Sequence, residues 1–237
     1  MVMAAAIAME ALMAAVAADV PVAGRVALVA GATGLVGQAV LAALLTDKNY
    51  ATIHSVGRRP PAVQHPKLIH HTVDFGRLPA LPAVDDVYIV LGTTISVAGS
   101  QQAFRSIDFD AVVAVALSAK ESGATKLGVV SAMGANAKSG VFYNRVKGEM
   151  EEALAKVGFQ VLVIARPSML AGNRDALHQP SRLGEKLGLA AMSVLGSLIP
   201  ANYKAIDAGK VSKALIHGVK SAPPGIRVLL SGAMQMA

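Results

Sequence analysis

Seven residues, Gly31-Ala32-Thr33-Gly34-Leu35-Val36-Gly37, restrict this chain more than any others in it. Before them runs Arg25-Val26-Ala27-Leu28-Val29-Ala30, short, apolar and of strand type; after them comes Gln38-Ala39-Val40-Leu41-Ala42-Ala43-Leu44-Leu45, which has helical character. A strand that enters a tight glycine turn and leaves it as a helix presents backbone N–H groups and the positive end of a helix dipole to an anion. Gly31 permits the turn, Gly34 lets the backbone approach a phosphate, and Gly37 lets the helix pack closely on the strand. Thr33, Leu35 and Val36 complete a loop suited to the pyrophosphate of a dinucleotide, and the flanking strand and helix supply the context that this spacing needs.

The rest of the chain repeats the pattern. Apolar segments at 25–30, 52–56, 68–73, 86–91, 126–131 and 160–165, most rich in β-branched residues, read as strands, and 34–46, 101–122 and 143–157 read as helices. The alternation implies a Rossmann-like α/β fold: a doubly wound parallel sheet with right-handed crossovers and helices on both faces. Residues 74–85 contain two prolines and make one crossover short or irregular, and a last strand at 227–230 joins the sheet edge. A chain of 237 residues suits one such domain, 24–237, with small substrate-side elements near its C-terminus and an N-terminal extension at 1–23 expected to be helical.

Composition excludes several chemistries. There is no cysteine, hence no disulfide, thiolate zinc site, iron–sulfur cluster or thiol nucleophile. The net charge of +7 comes from Lys and Arg scattered along the chain, with Arg58-Arg59 the sole adjacent pair, and four tyrosines, five phenylalanines and no tryptophan offer little stacking surface. No nucleic-acid partner is expected. Residues 1–18 carry Glu10, lack the positive flank of a signal peptide and are too weakly apolar for a membrane span; 187–200 is too short for one. The extension is read as an appended helix or the product of an upstream start codon rather than a targeting signal, and the protein as cytoplasmic with no membrane partner. His70 and His71 are adjacent in a strand and point to opposite faces, while His54, His65, His178 and His217 lack partners at ligand spacing, so no metal is expected. Glu149, Glu151 and Glu152 read as a solvated helix face.

About twenty residues beyond the glycine loop the second strand should end beside the adenosine ribose. An NAD site commonly has a carboxylate there; this chain has Gly57-Arg58-Arg59. Guanidinium groups can grip a 2′-phosphate through paired hydrogen bonds where a carboxylate would repel it, so NADP(H) is expected over NAD(H). The plainer alternative is a solvated turn before Pro60. Asp74-Phe75 follows the third strand, where Asp74 either accepts from the adenine amino group or merely ends the strand. Leu91-Gly92-Thr93 follows the fourth, in the crevice where ligands of a doubly wound sheet lie.

Ser131 ends the fifth strand, and Tyr143 and Lys147 stand four apart on the next helix, hence on one face. A phenol ionises near a pKa of about 10, and a neighbouring ammonium favours the phenolate, which makes proton exchange with a substrate oxygen feasible. Ser131 can polarise the same oxygen. The plainer alternative is a surface tyrosine–lysine pair.

Gly31-x-x-Gly34-x-x-Gly37, Ser131 and Tyr143-x-x-x-Lys147 resemble the short-chain dehydrogenase/reductase superfamily. Leu91-Gly92-Thr93-Thr94, Val129-Val130-Ser131, Lys147-Gly148-Glu149 and Arg166-Pro167-Ser168 are similar to its small atypical members, the Tat-interacting-protein-like oxidoreductases, and the resemblance runs from residue 25 to the C-terminus. It implies Tyr143 as acid–base group, Lys147 on the nicotinamide ribose and tuning Tyr143, Ser131 orienting substrate, and Pro167 and Ser168 near the nicotinamide. Only 69 residues follow Ser168, which disfavours the chemistry of extended members that epimerise nucleotide sugars with a larger C-terminal domain. A polar stretch at 172–180 could close over substrate, with Arg174 or His178 selecting it. The expectation is an NADP(H)-dependent oxidoreductase that reduces a small carbonyl substrate, as a monomer or a homodimer through helices 101–122 and 143–157. The alternative is an NADP(H)-binding sensor with little or no turnover.

Overall fold

Seven strands, all paired in parallel, form the centre of the protein in a computed structural model that describes residues 24–171 and 200–236. They are β1 (Arg25–Ala30), β2 (Tyr50–Gly57), β3 (Leu68–Thr72), β4 (Asp86–Ile89), β5 (Lys126–Val130), β6 (Val161–Arg166) and β9 (Gly225–Leu230), in the spatial order β3-β2-β1-β4-β5-β6-β9. A second, two-stranded sheet pairs β7 (Leu170–Ala171) with β8 (Ile206–Asp207). The chain winds outward from β1 to β3, returns past β1 to β4, and then winds the other way. The crevice at the carboxyl ends of β1 and β4 is therefore the topological switch point, where ligands of such sheets lie.

The central strands are apolar along their length because both faces are covered. On one face, Ala27 and Val29 of β1 pack against Val40, Leu41 and Leu44 of α1 (Leu35–Thr46) and Val211, Leu215 and Val219 of α6 (Ala208–Ser221). On the other, Leu28, Val87 and Ile89 meet Val112, Val115 and Ala119 of α4 (Val112–Glu121) and Met150 and Leu154 of α5 (Phe142–Lys156). Short helices α2 (Ile95–Ala98), α3 (Gln101–Arg105) and α7 (Ser231–Met234) complete the set among the described residues. The doubly wound Rossmann-like sheet expected from the sequence is the observed fold.

Two local differences bear on the site. The single helix expected over 101–122 is α3 and α4 joined by a π-helical stretch, Ser106–Ala111. Helix α6 was not anticipated, although Val211, Leu215 and Val219 recur at helical spacing on its buried face. The short connection expected after β3 is a 3-10 turn, Phe75–Arg77, followed by irregular chain.

At the amino edge of the sheet a buried polar cluster ties three strands together. Arg25 donates through Nε and Nη2 to the two Asp86 oxygens at 2.7 Å each, the Tyr50 hydroxyl donates to Asp86 at 2.8 Å, and the Tyr50 and Tyr88 hydroxyls bond at 2.9 Å. Asp86, Tyr50 and Tyr88 are sealed from solvent, and burial pushes both phenols above the ordinary tyrosine range. No helix among the described residues is long and apolar enough to cross a membrane.

Candidate active site

The glycine turn has the geometry its spacing requires. Gly31 takes a φ of +94°, and a Cβ there would lie 2.8 Å from the Val90 and Leu91 backbone. A Cβ on Gly37 would lie 2.0 Å from the Gly31 carbonyl oxygen, so α1 can seat against the turn only with glycine at this place. Gly34 caps α1 without any side-chain hydrogen bond, and the first turn carries no acidic residue. The N–H end of α1 is thus left to an external anion.

Below it opens a cavity of about 440 Å³. Of the residues expected to hold cofactor, Gly31, Thr33, Arg58, Arg59, Asp74, Phe75 and Leu91 line it. Arg58 and Arg59 are exposed and make no side-chain hydrogen bond or ion pair with the described residues. Asp74 uses one carboxylate oxygen to cap its own turn, accepting from the Gly76 N–H at 3.0 Å, so the turn role is real although the residue faces the cavity. The sequence reading missed the opposite wall, Ser106, Ile107 and Asp110 from the π-helical stretch, and Ser55 on β2. Pro167 and Ser168 stand apart from this cavity: the Pro167 carbonyl accepts from Met133 N–H, and the Ser168 hydroxyl donates to the Lys204 carbonyl and bonds Ser231 at 2.9 Å.

Further along the same carboxyl edge lie the chemical groups. Ser131 follows β5, its N–H donating to Ala165 O at 2.7 Å; its hydroxyl is buried and has no hydrogen-bond partner among the described residues. A buried hydroxyl without a partner costs about 1–3 kcal/mol, which a ligand oxygen would relieve. Tyr143 packs on Phe104 with ring centroids 5.2 Å apart. Gly148 admits the 132–141 turn against α5, since a Cβ there would sit 2.1 Å from Ala137 N, and Asn136 N–H donates to Asn144 O between Tyr143 and Lys147.

Lys147 is fully buried, and its ammonium lies 2.7 Å from Oδ1 of Asp108, itself sealed from solvent. The other Asp108 oxygen accepts the Thr93 N–H at 2.9 Å. Burial pushes Lys147 toward deprotonation, but the charges of Asp108, Tyr143 and Glu151 outweigh it and hold the ammonium above the ordinary lysine value. Sequence reasoning overlooked Asp108. Its signal was a carboxylate on the buried stripe of a helix, between Phe104 and Val112.

Glu151 is buried against Arg166 in a two-pronged ion pair and Glu149 pairs with Arg105, so only Glu152 belongs to a solvated face. His54 does have a partner: its Nδ1 lies 2.9 Å from His71 Nε2, because the β2–β3 register sets the two on one face, while His70 bonds Ser55 at 3.2 Å on the other. The 172–180 stretch with Arg174 and His178, and the extension at 1–23, lie outside the described residues.

No family model matches the chain. It is 33% identical over 195 residues to "Protein FMP52, mitochondrial" of Candida albicans, covering 78% of this chain and 84% of that protein. With the protein of the same name from Meyerozyma guilliermondii it shares 32% over 214 residues, 87% of this chain and 91% of the relative. Among solved structures, MoeE5 in complex with UDP-glucose and NAD has a TM-score of 0.64 at 15% identity, over 86% of this chain and 74% of that one. A short chain dehydrogenase family protein from Francisella tularensis has a TM-score of 0.62 at 13% identity, over 89% and 99%. The relatives' names overturn the cytoplasmic expectation, which rested on residues 1–18 lacking the flank of a secretory signal, a criterion that tests no other compartment.

Proposed function

Because the chain belongs to the FMP52 family and has the fold of the short-chain dehydrogenases and reductases, we propose that it is an NADP(H)-dependent oxidoreductase reducing a small carbonyl compound in mitochondria. The observation that carries this reading is the unpartnered, buried Ser131 hydroxyl at the sheet edge that also bears the glycine turn, Tyr143 and Lys147. The uncapped end of α1, the turn that no Cβ would fit and the two guanidiniums, unengaged among the described residues, suit a dinucleotide with a 2′-phosphate. The NAD in the MoeE5 structure supports the cofactor class. When bound, such a cofactor supplies the hydride.

The chain's own residues do the rest. The glycine turn and the α1 N–H groups bind the pyrophosphate, and Arg58 and Arg59 grip the 2′-phosphate. Lys147 holds the nicotinamide ribose. Ser131 donates to the substrate carbonyl oxygen and orients it, and Tyr143 gives that oxygen its phenolic proton as negative charge develops there.

The test is NADPH consumption across aldehydes, ketones and quinones, with Tyr143→Phe measured in parallel. Turnover that disappears in the variant while NADPH affinity stays within roughly threefold supports the reading. Tight NADPH binding without turnover of any compound overturns it in favour of a cofactor sensor.

A further inference from the structure

Ser55 lines the cavity beneath the glycine turn, although almost no solvent reaches it. In the β2–β3 register it stands opposite His70, so the two side chains share the sheet face on which Ile53 packs with α1. The His70 Nδ1 lies 3.2 Å from the Ser55 hydroxyl, and its Nε2 is buried without a hydrogen-bond partner among the described residues. A Cβ on Gly57 would lie 4.0 Å from His70 Cε1, and the Val73 N–H donates to the Gly57 carbonyl at 3.1 Å. The ring therefore sits beside the strand end that delivers Arg58 and Arg59 to the same cavity.

A serine hydroxyl has one hydrogen to give. When Nδ1–H donates to the Ser55 oxygen, that hydrogen is left for an acceptor in the cavity, and Nε2 becomes a basic nitrogen with no donor against it. Burial, and then the charge of His71, hold His70 below the ordinary histidine value, so the ring is neutral at pH 7 before an anion binds. The other ionisable groups around it are His71 on its own strand, bonded to His54 across the opposite sheet face, and Arg58, Arg59 and Asp74 along the cavity. Helix α1, on the same face, carries none. A phosphate dianion brought against Ser55 reverses the balance and favours the imidazolium.

We propose that Ser55 and His70 form a proton-linked arm of the 2′-phosphate site: Ser55 donates its hydroxyl hydrogen to a phosphate oxygen, and His70, donating to the Ser55 oxygen through Nδ1, takes up a proton from solvent at Nε2 as the dianion binds. Ser55 is the contact and His70 the positioning residue. The assignment rests on the reading of this cavity as the site of a dinucleotide with a 2′-phosphate, and it makes the preference for NADP(H) a function of pH.

NADPH and NADH affinities, followed by nucleotide fluorescence, test it from pH 8.5 to pH 6.5, a range in which the 2′-phosphate stays mostly doubly charged. The NADPH-to-NADH affinity ratio of the wild type should rise about tenfold as pH falls, and that of His70→Gln should stay level. Calorimetry of NADPH binding at pH 7, in buffers of differing ionisation enthalpy, should show proton uptake by the wild type that the variant lacks. A ratio that rises in parallel in both proteins, or uptake that survives in His70→Gln, overturns the assignment. A wild-type ratio that favours NADPH but does not change with pH overturns it alone, leaving the 2′-phosphate reading intact. A ratio near one throughout sinks that reading, and the assignment with it. If His70→Gln does not fold, Ser55→Ala breaks the same link while keeping the ring. Its ratio should also stay level, and a rise equal to that of the wild type overturns the assignment.

Discussion

At the amino edge of the sheet, Asp86 accepts twice from Arg25 and once from Tyr50, and Tyr50 bonds Tyr88; every buried polar atom of the cluster has a partner. At the carboxyl edge, Asp108 meets Lys147 and Thr93, but among the described residues the Ser131 hydroxyl has no partner, the N–H end of α1 has no side-chain cap, and Arg58 and Arg59 line the cavity without an ion pair. Both edges bury a carboxylate against a cation. The amino edge closes its network with protein atoms and so stabilises the sheet. The carboxyl edge leaves donors unanswered, at some cost in stability, and those donors are what a ligand can meet.

Breaking each edge should separate the two roles. The largest effect belongs to the carboxyl edge: Tyr143→Phe should lower kcat/KM by about 10²–10⁴-fold, with the melting temperature within a degree or two of wild type. A loss of folding on the same scale as the loss of rate would erase the distinction. Next comes Asp86→Ala, which takes the acceptor from Arg25 and from one phenolic O–H of the Tyr50–Tyr88 pair and should cost about 3 kcal/mol in urea unfolding. NADPH affinity of the folded variant should not change. Substituting Arg58 and Arg59 together by alanine should weaken NADPH binding about 10–100-fold and leave NADH binding nearly unaltered. Equal losses for both nucleotides would sink the 2′-phosphate reading.

The smallest effect concerns the histidines of β2 and β3. Burial, and then the charge of His71, lowers the pKa of His54 below its ordinary 6.5. The folded state therefore binds fewer protons than the unfolded chain once pH falls below that value, and stability falls with it. Replacing His54 by glutamine should flatten the acid limb of a melting-temperature profile by a few degrees between pH 7 and pH 5. A profile that keeps its full slope would show that other groups set it.

Much of the site was legible because its signals are local. Gly31, Gly34 and Gly37 act within one turn, and Tyr143 and Lys147 share a face by helix geometry alone. Arg58 and Arg59 are placed by their position just after a strand. Asp108 was not legible, because its partner Lys147 lies beyond β5 and the pairing depends on how two helices pack over one sheet face. The same holds for Glu151 with Arg166, and for His54, whose partner on β3 follows from strand register rather than ligand spacing. The compartment was not legible for a different reason: residues 1–18 speak only to secretion and membrane insertion.

Local order along the chain suffices for the strand–turn–helix unit, the parallel sheet and the candidate acid–base pair. Backbone sterics, helix periodicity and alternating apolar segments act over a few residues and need no knowledge of the rest. Which buried charges meet, and which donors are left over, follows from the packing of the whole sheet and its helices. Those choices are made between groups distant in the chain, where strand order and register bring them within hydrogen-bond reach and burial raises the cost of leaving any of them alone.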